Sequence, residues 1–262
     1  MIYTCYEMVR DCRADLPAGW MHFISYYVPV IRRILAQYAP AEAGDPKRLE
    51  RVLLAIRKPE SSMFHSLEPA PERAFVAELR QKVLAELKPQ VPELDIDLET
   101  VSDALQPLTM TERQAVWFET MHYPPAIAGS MLRISAETVE KVRARAADMI
   151  RGKVDSWRRT LLADNGAALG KEAQAAHTPD CLPAKAFLDV IEGRSVWRDR
   201  ESMDQHLRIC WHCVDHFCRL MEVNEWLRGN QPLVAAEAEP FFQLLGVTPA
   251  KPAGWKRLLG KA

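Results

Sequence analysis

Apolar residues recur every three or four positions along nearly the whole chain, and alternating runs of β-branched residues are missing, so the fold is expected to be all-α. Near the N-terminus Trp20, Ile24, Tyr27, Ile31 and the pair Ile34 and Leu35 form one stripe, with Arg32 and Arg33 on the other face. Pro29 interrupts that stripe and predicts a kink or a helix start. Ala41 to Pro46 reads as a loop and Lys47 to Ile56 as a short helix. Pro59, Pro69 and Pro71 around Ser61 and Ser62 mark Lys58 to Pro71 as a linker. Phe75, Leu79, Val83 and Leu87, spaced by four, predict an amphipathic helix that Pro89 and Pro92 end.

From Leu98 to Arg159 the pattern predicts a set of helices, and Leu108 to Ile150 has the punctuation of a helix-turn-helix. Thr111 is expected to cap a helix whose inner face is Ala115, Val116 and Phe118 to Met121. Pro124 and Pro125 suit the first turn of a short second helix, with Ile127, Ala128 and Leu132 facing inward. Arg133 and Ile134 make the turn, and Ser135 caps a long third helix whose inner face is Val139, Val142, Ala146, Met149 and Ile150. Lys141, Arg143, Arg145 and Arg151 are expected on its outer surface, where such a helix enters a major groove. Glu137 and Glu140 oppose contact with phosphates. The plain alternative is a helical bundle with a solvated charged face.

Ala163 to Pro179 is rich in Ala and Gly and short of large apolar residues, and reads as a flexible joint. The segment from Pro232 to Ala262 forms a tail with no assigned place. The 262 residues allow two or three small domains, and a formal charge of -1 gives no overall basic excess to announce nucleic acid. The start, Met-Ile-Tyr-Thr-Cys-Tyr-Glu, lacks the features of a signal peptide. Apolar stretches such as Phe23 to Ile31 fall short of the roughly 20 residues that span a bilayer. The chain is therefore expected to be cytoplasmic and to have no membrane partner.

Cysteines stay reduced in that compartment, and clustered ones more often bind metal than pair. Four of the six lie between Cys181 and Cys218. Cys181, His206, Cys210 and Cys213 offer four ligands suited to tetrahedral zinc, and a helix ending near Cys210 would point the last three the same way. His212, His216 and Cys218 compete as ligands, His212 for His206 above all. Four protein ligands leave no open position for water, and no HExxH occurs, so the zinc is expected to be structural, worth roughly 10–16 kcal/mol to a small domain. Cys5 and Cys12 read as core residues rather than a redox pair, and His22, His65 and His122 as ordinary side chains. No Gly-rich phosphate loop or nucleophile elbow is present, and the chain is not expected to be an enzyme.

The run LTMTERQAVWFETMHYPPAIAGSMLRISAETVEKVRARA resembles the promoter-reading region 4 of extracytoplasmic-function bacterial sigma factors. CLPAKAFLDVIEGRS followed by DQHLRICWHC is similar to the zinc-binding anti-sigma domain. Together the two blocks cover roughly 80 residues. The resemblance implies Zn2+ on Cys181, His206, Cys210 and Cys213, and DNA contacts from Ser135, Thr138, Lys141 and Arg145. Glu140 and Arg143 depart from it, standing where a basic and an apolar residue are usual. Only Trp20 to Tyr38 faintly resembles sigma region 2, without its acidic polymerase-binding signature.

The expected organisation is a degenerate region 2-like part at 1–92, a region 4-like domain at 93–162, a linker at 163–179, a zinc-binding anti-sigma-like domain at 180–230 and a tail at 231–262. The function it implies is a transcription regulator in which a tethered zinc domain restrains binding to DNA or RNA polymerase core. The alternative is an anti-sigma-like module that binds a sigma factor or another regulator and never touches DNA.

Overall fold

Thr4 opens the first helix by a reciprocal pair of hydrogen bonds: its hydroxyl accepts the Glu7 N–H at 3.2 Å and the Glu7 carboxylate accepts its own N–H at 2.7 Å. The computed structural model describes residues 3–58, 63–66, 71–87, 98–151 and 166–248. Those residues form α-helices and one 3-10 turn, with no strand among them, as the periodicity requires. The chain divides into two units, one of Met1–Lys88 with Trp226–Ala262 and the other of Pro89–Glu225.

In the first unit α1 (Cys5–Arg13) crosses α2 (Pro17–Tyr38) at Gly19. A Cβ there would lie 2.5 Å from the Cys12 nitrogen and 2.7 Å from the Asp11 carbonyl carbon, so only glycine permits the approach. Around the crossing α3 (Pro46–Arg57), α4 (Met63–Ser66) and α5 (Glu72–Leu87) bury an aromatic core. Phe23 meets Phe64 with ring centroids 5.7 Å apart, and Tyr27 meets Phe75 at 4.8 Å. The expected linker from Lys58 to Pro71 thus contributes Met63 and Phe64 to the core, while 59–62 and 67–70 lie outside the described residues.

Pro29 neither starts nor ends a helix; it sits inside α2. Proline has no N–H, so the carbonyl four residues earlier, on Ser25, loses its helical partner. The Leu233 N–H takes that carbonyl at 2.8 Å, and the Asn230 side-chain amide donates to the next one, on Tyr26, at 2.7 Å. Arg33 donates to the carbonyls of Trp226, at 2.6 Å, and Gly229. α14 (Ala235–Leu244) then packs on α2, with Phe242 buried and Arg32 over the Phe241 ring. Through residue 248, the stretch expected to be an unplaced tail is part of the first unit.

The second unit begins with α6 (Leu98–Ala104) and α7 (Met110–Thr120). The cap of α7 is Thr109, not Thr111, because Thr109 and Glu112 satisfy each other's backbone donors. α8 (Pro125–Leu132) and α9 (Ala136–Arg151) meet in a turn with Arg133 at φ 59°. The Ile134 N–H reaches the Gly129 carbonyl at 3.0 Å, and a Cβ on Gly129 would lie 2.7 Å from the Ile134 oxygen. Ser135 caps α9 as expected, accepting the Thr138 N–H at 3.1 Å. Val139, Val142, Ala146 and Ile150 are buried.

Two expectations about outward faces change. Ile127 is exposed, and buried Gly129 joins Ala128 on the inner face of α8. Arg143 turns inward, donating to the carbonyls of Ala115 at 3.1 Å and Tyr123 at 3.0 Å. A carbonyl in the middle of α7 and one ahead of α8 thus gain a charged donor. The Arg151 side chain lies outside the described residues.

The expected joint at 163–179 is replaced, from Gly166, by α10 (Gly166–Ala175). Its small Ala168, Leu169 and Ala173 are buried and bring it against α7. α11 (Ala184–Ile191), α12 (Trp197–Leu207) and α13 (Trp211–Arg228) follow. Their Phe187, Leu207, Trp211 and Val214 belong to the same core as Trp117, Phe118, Val139 and Ile150. The stretches expected as separate domains at 93–162 and 180–230 therefore share one interior, and residues 226–228 at the end of α13 group with the first unit. Among the described residues no helix is long and apolar enough to cross a membrane.

Gly19→Ala forces backbone apart at the α1–α2 crossing and should lower the unfolding free energy by about 1–3 kcal/mol. Asn230→Ala removes one donor and should cost about 1 kcal/mol. Urea unfolding monitored by far-UV circular dichroism measures both, and wild-type stability in Gly19→Ala would contradict the crossing.

Candidate metal centre

Four ligand side chains reach one point from three pieces of chain. His206 lies in the last turn of α12. The helix then stops, with the N–H groups of Ile209 and Cys210 both on the His206 carbonyl at 3.1 and 3.0 Å, so Cys210 stands in the break. α13 restarts at Trp211 and carries Cys213 in its first turn. The single helix expected to end near Cys210 is thus a helix, a break and a second helix, which turns the ligands inward from different directions. Cys181 comes from the loop ahead of α11.

The ligand atoms of Cys181, His206, Cys210 and Cys213 all lie within 4.8 Å of one another. Cys181 Sγ is 3.8 Å from Cys210 Sγ, and His206 Nε2 is 3.2 Å from Cys213 Sγ. All six cysteines are free, so the four residues are placed to hold a metal ion rather than a disulfide. Backbone N–H groups point at two of the sulfurs: Thr178 to Cys181 and Leu182 to Cys213, each at 3.3 Å. Such donors stabilise thiolates and orient them for an ion. Cys210 is drawn down to about 4, first by its hydrogen bond with Cys213, while Cys213 is pushed up by the same bond and by burial.

The rival ligands are not part of this group of four. His212 directs Nδ1 to the Ala173 carbonyl at 3.2 Å, and His216 packs its ring on Phe187. Cys218 is fully buried, and burial pushes its thiol well up. Cys12 is buried with its Sγ 3.7 Å from Met8 Sδ, and burial raises Cys5 to about 11. His22 stacks on Tyr26, and His122 lies in none of the groups of possible metal ligands; the side chain of His65 is outside the described residues.

Two neighbours of the centre were not legible as such. A cleft of about 570 Å³ opens beside the ligands, lined in part by Glu99, Asp103, Glu172, Asp180, His206 and Cys210. Arg113 is fully buried with its guanidinium 5.0 Å from the Trp211 ring, and its three nitrogens have no hydrogen-bond partner among the described residues. Burial, and then Arg208, draw it down to about 10. Its signal in the sequence is faint: one charge just ahead of the apolar run from Ala115 to Phe118.

The candidate nucleic-acid residues fall together on the outer side of α9. Ser135, Thr138, Lys141 and Arg145 are all exposed. Ser135 is occupied as the cap, its hydroxyl 2.8 Å from that of Thr138. Lys141 pairs with Glu137 at 2.6 Å, and Arg145 pairs with Glu112 of the α7 capping box.

In a chain stripped of metal, iodoacetamide at pH 6 should label Cys210 ahead of Cys213 and Cys218, because the Cys210 thiol is drawn down while those two are pushed up. Its rate should fall as the pH drops through about 4 and protonates that sulfur. Peptide mass spectrometry reads the order, and equal labelling of Cys210 and Cys213 would contradict it. With metal present, His206→Ala and Cys213→Ser should lose the ion bound at the four-ligand centre, whereas His212→Ala should keep it, as measured by inductively coupled plasma mass spectrometry. No protein-family model matches the chain, nor does any curated protein or solved structure.

Proposed function

We propose that the chain is a zinc-stabilised transcription regulator, in which the anti-sigma-like segment holds sigma region 4-like helices α7 to α9 and so modulates their binding to DNA or RNA polymerase core. The observation that carries this reading is the common core. α13, which carries Cys213, bonds directly to α7 and to the segment ahead of α8: the Trp117 indole N–H donates to Asp215 at 3.0 Å, and the Tyr123 hydroxyl to Glu222 at 2.6 Å. The Trp117 and Trp211 rings lie 5.0 Å apart, two residues from Cys213. Restraint then acts through packing rather than through a loose tether, and an event at the ligands reaches α7 within one helical turn of α13.

Zinc suits the ligand set. With Zn–S near ~2.3 Å, tetrahedral geometry sets two sulfurs ~3.8 Å apart, the separation of Cys181 and Cys210. Three thiolates and an imidazole fill the coordination sphere, which supports a structural ion and a non-enzymatic role. In a reducing compartment such as the cytoplasm the thiolates stay available for it.

The tight turn at Arg133, the Ser135 cap and the exposed row of Ser135, Thr138, Lys141 and Arg145 support reading α8 and α9 as a helix-turn-helix. A second reading, a protein–protein module that binds a sigma factor and leaves DNA alone, is favoured by the charges of the same face. Both basic side chains of the row already face carboxylates, and Glu140 and Asp148 are exposed beside them.

Fluorescence anisotropy with duplex DNA separates the two. On the first reading, Lys141→Ala with Arg145→Ala weakens binding and reduces the salt slope by about two, one for each lost phosphate contact. Chelating the zinc should alter DNA or polymerase binding by the full chain. Absence of salt-dependent DNA binding at low ionic strength, with retained capture of a sigma factor, would establish the second.

A further inference from the structure

Cys181 belongs to a second group of potential ligands as well as the first: with His177 and His212 it places three ligand atoms within 4.8 Å of one another. We infer a second, exchangeable site for a divalent zinc-class cation at His177, Cys181 and His212, in which the Cys181 thiolate bridges to the ion of the first site. The bridge rests on Cys181, His206, Cys210 and Cys213 holding that first ion.

His212 is set up as a ligand. Its Nδ1 lies 3.2 Å from the Ala173 carbonyl at the end of α10. A carbonyl can only accept, so Nδ1 carries the proton and Nε2 keeps its lone pair. A backbone carbonyl on the far nitrogen is how metal-binding imidazoles are commonly oriented. The His177 ring meets the His212 ring edge-on, with centroids 4.8 Å apart, so both imidazoles are held at the Cys181 side of the break between α12 and α13. His216 packs on Phe187, its ring 6.0 Å from that of His212, and belongs to neither group.

Charge and donor type point the same way. Three thiolates and a neutral imidazole around a doubly charged ion leave one net negative charge, and Cys181, half-buried, is where a second cation can approach it. Two neutral imidazoles then complete the ligand set without adding charge. Two nitrogens and a sulfur select zinc-class ions over magnesium or calcium. Three protein ligands leave a fourth position, and His177 is exposed, so that position faces water and the ion exchanges. The pair is therefore one closed site beside one open site, a design that lets metal supply be read next to the ion that holds the fold.

Titration of the full, metal-stripped chain with Zn2+, counted by native mass spectrometry, and with Co2+, followed by its thiolate charge-transfer and d–d absorption, tests this. Wild type should take two equivalents, the second more weakly. His177→Ala and His212→Ala should each take one, with unchanged far-UV circular dichroism. Saturation of wild type at one equivalent, or two equivalents in the His177→Ala/His212→Ala chain, would overturn the second site and leave the first standing. If Cys213→Ser fills as wild type does, the four-ligand reading fails instead, and the bridge with it.

Discussion

The carboxylate of Asp215 is almost entirely out of water, and the second unit is organised around keeping it satisfied. It accepts the Trp117 indole N–H and is paired with Arg219 one turn along α13. Removing one partner from such a buried pair typically costs about 3–5 kcal/mol, because the remaining charge has no water to turn to. The interaction fixes the rotation of α13 against α7. Glu222, seven residues further on and so on the same face, repeats the device with Tyr123. Once α13 is locked in rotation, Trp211 and Cys213 on its first turn have only one direction to point. The ligand cluster is thus positioned by the core as much as by any ion.

This dependence runs in both directions. The break between α12 and α13 leaves helix-terminal backbone groups that His206 and Cys210 partly satisfy locally. An ion there joins the end of one helix, the start of the next and the loop of Cys181, and so closes three chain segments at once. Arg113 sits over the Trp211 ring next to the break. A buried guanidinium held mainly by an aromatic face is a costly arrangement, and it makes this side of the unit sensitive to how Trp211 is placed.

The helices and the ligands were legible for different reasons. Strong three-to-four periodicity made α2, α5 and α9 readable, and ligand spacing singled out Cys181, His206, Cys210 and Cys213 before any geometry. The cap of α7 was misplaced by two residues because Thr109 and Thr111 offer the same hydroxyl, and only the partner Glu112 distinguishes them. Arg143 looked like a surface charge because its role depends on carbonyls of Ala115 and Tyr123, far along the chain. α10 was hidden by composition: a helix that packs through alanines against α7 carries almost no hydrophobic signal, although small side chains are what close approach requires. The second ligand group was hidden in the same way, since His177 and His212 become neighbours only once α10 has ended beside α13.

Pro29 has a consequence in time as well as in space. The Ser25 carbonyl it strands is matched by the N–H of Leu233, and the neighbouring carbonyl of Tyr26 by Asn230, 204 residues away in sequence. A chain made from its N-terminus at about 5–20 residues per second needs roughly 10–40 s to supply those partners. Throughout that interval α2 stands with an open notch in its backbone, while all of Pro89–Glu225 emerges from the ribosome and is free to fold. An early-made helix is therefore among the last to be completed.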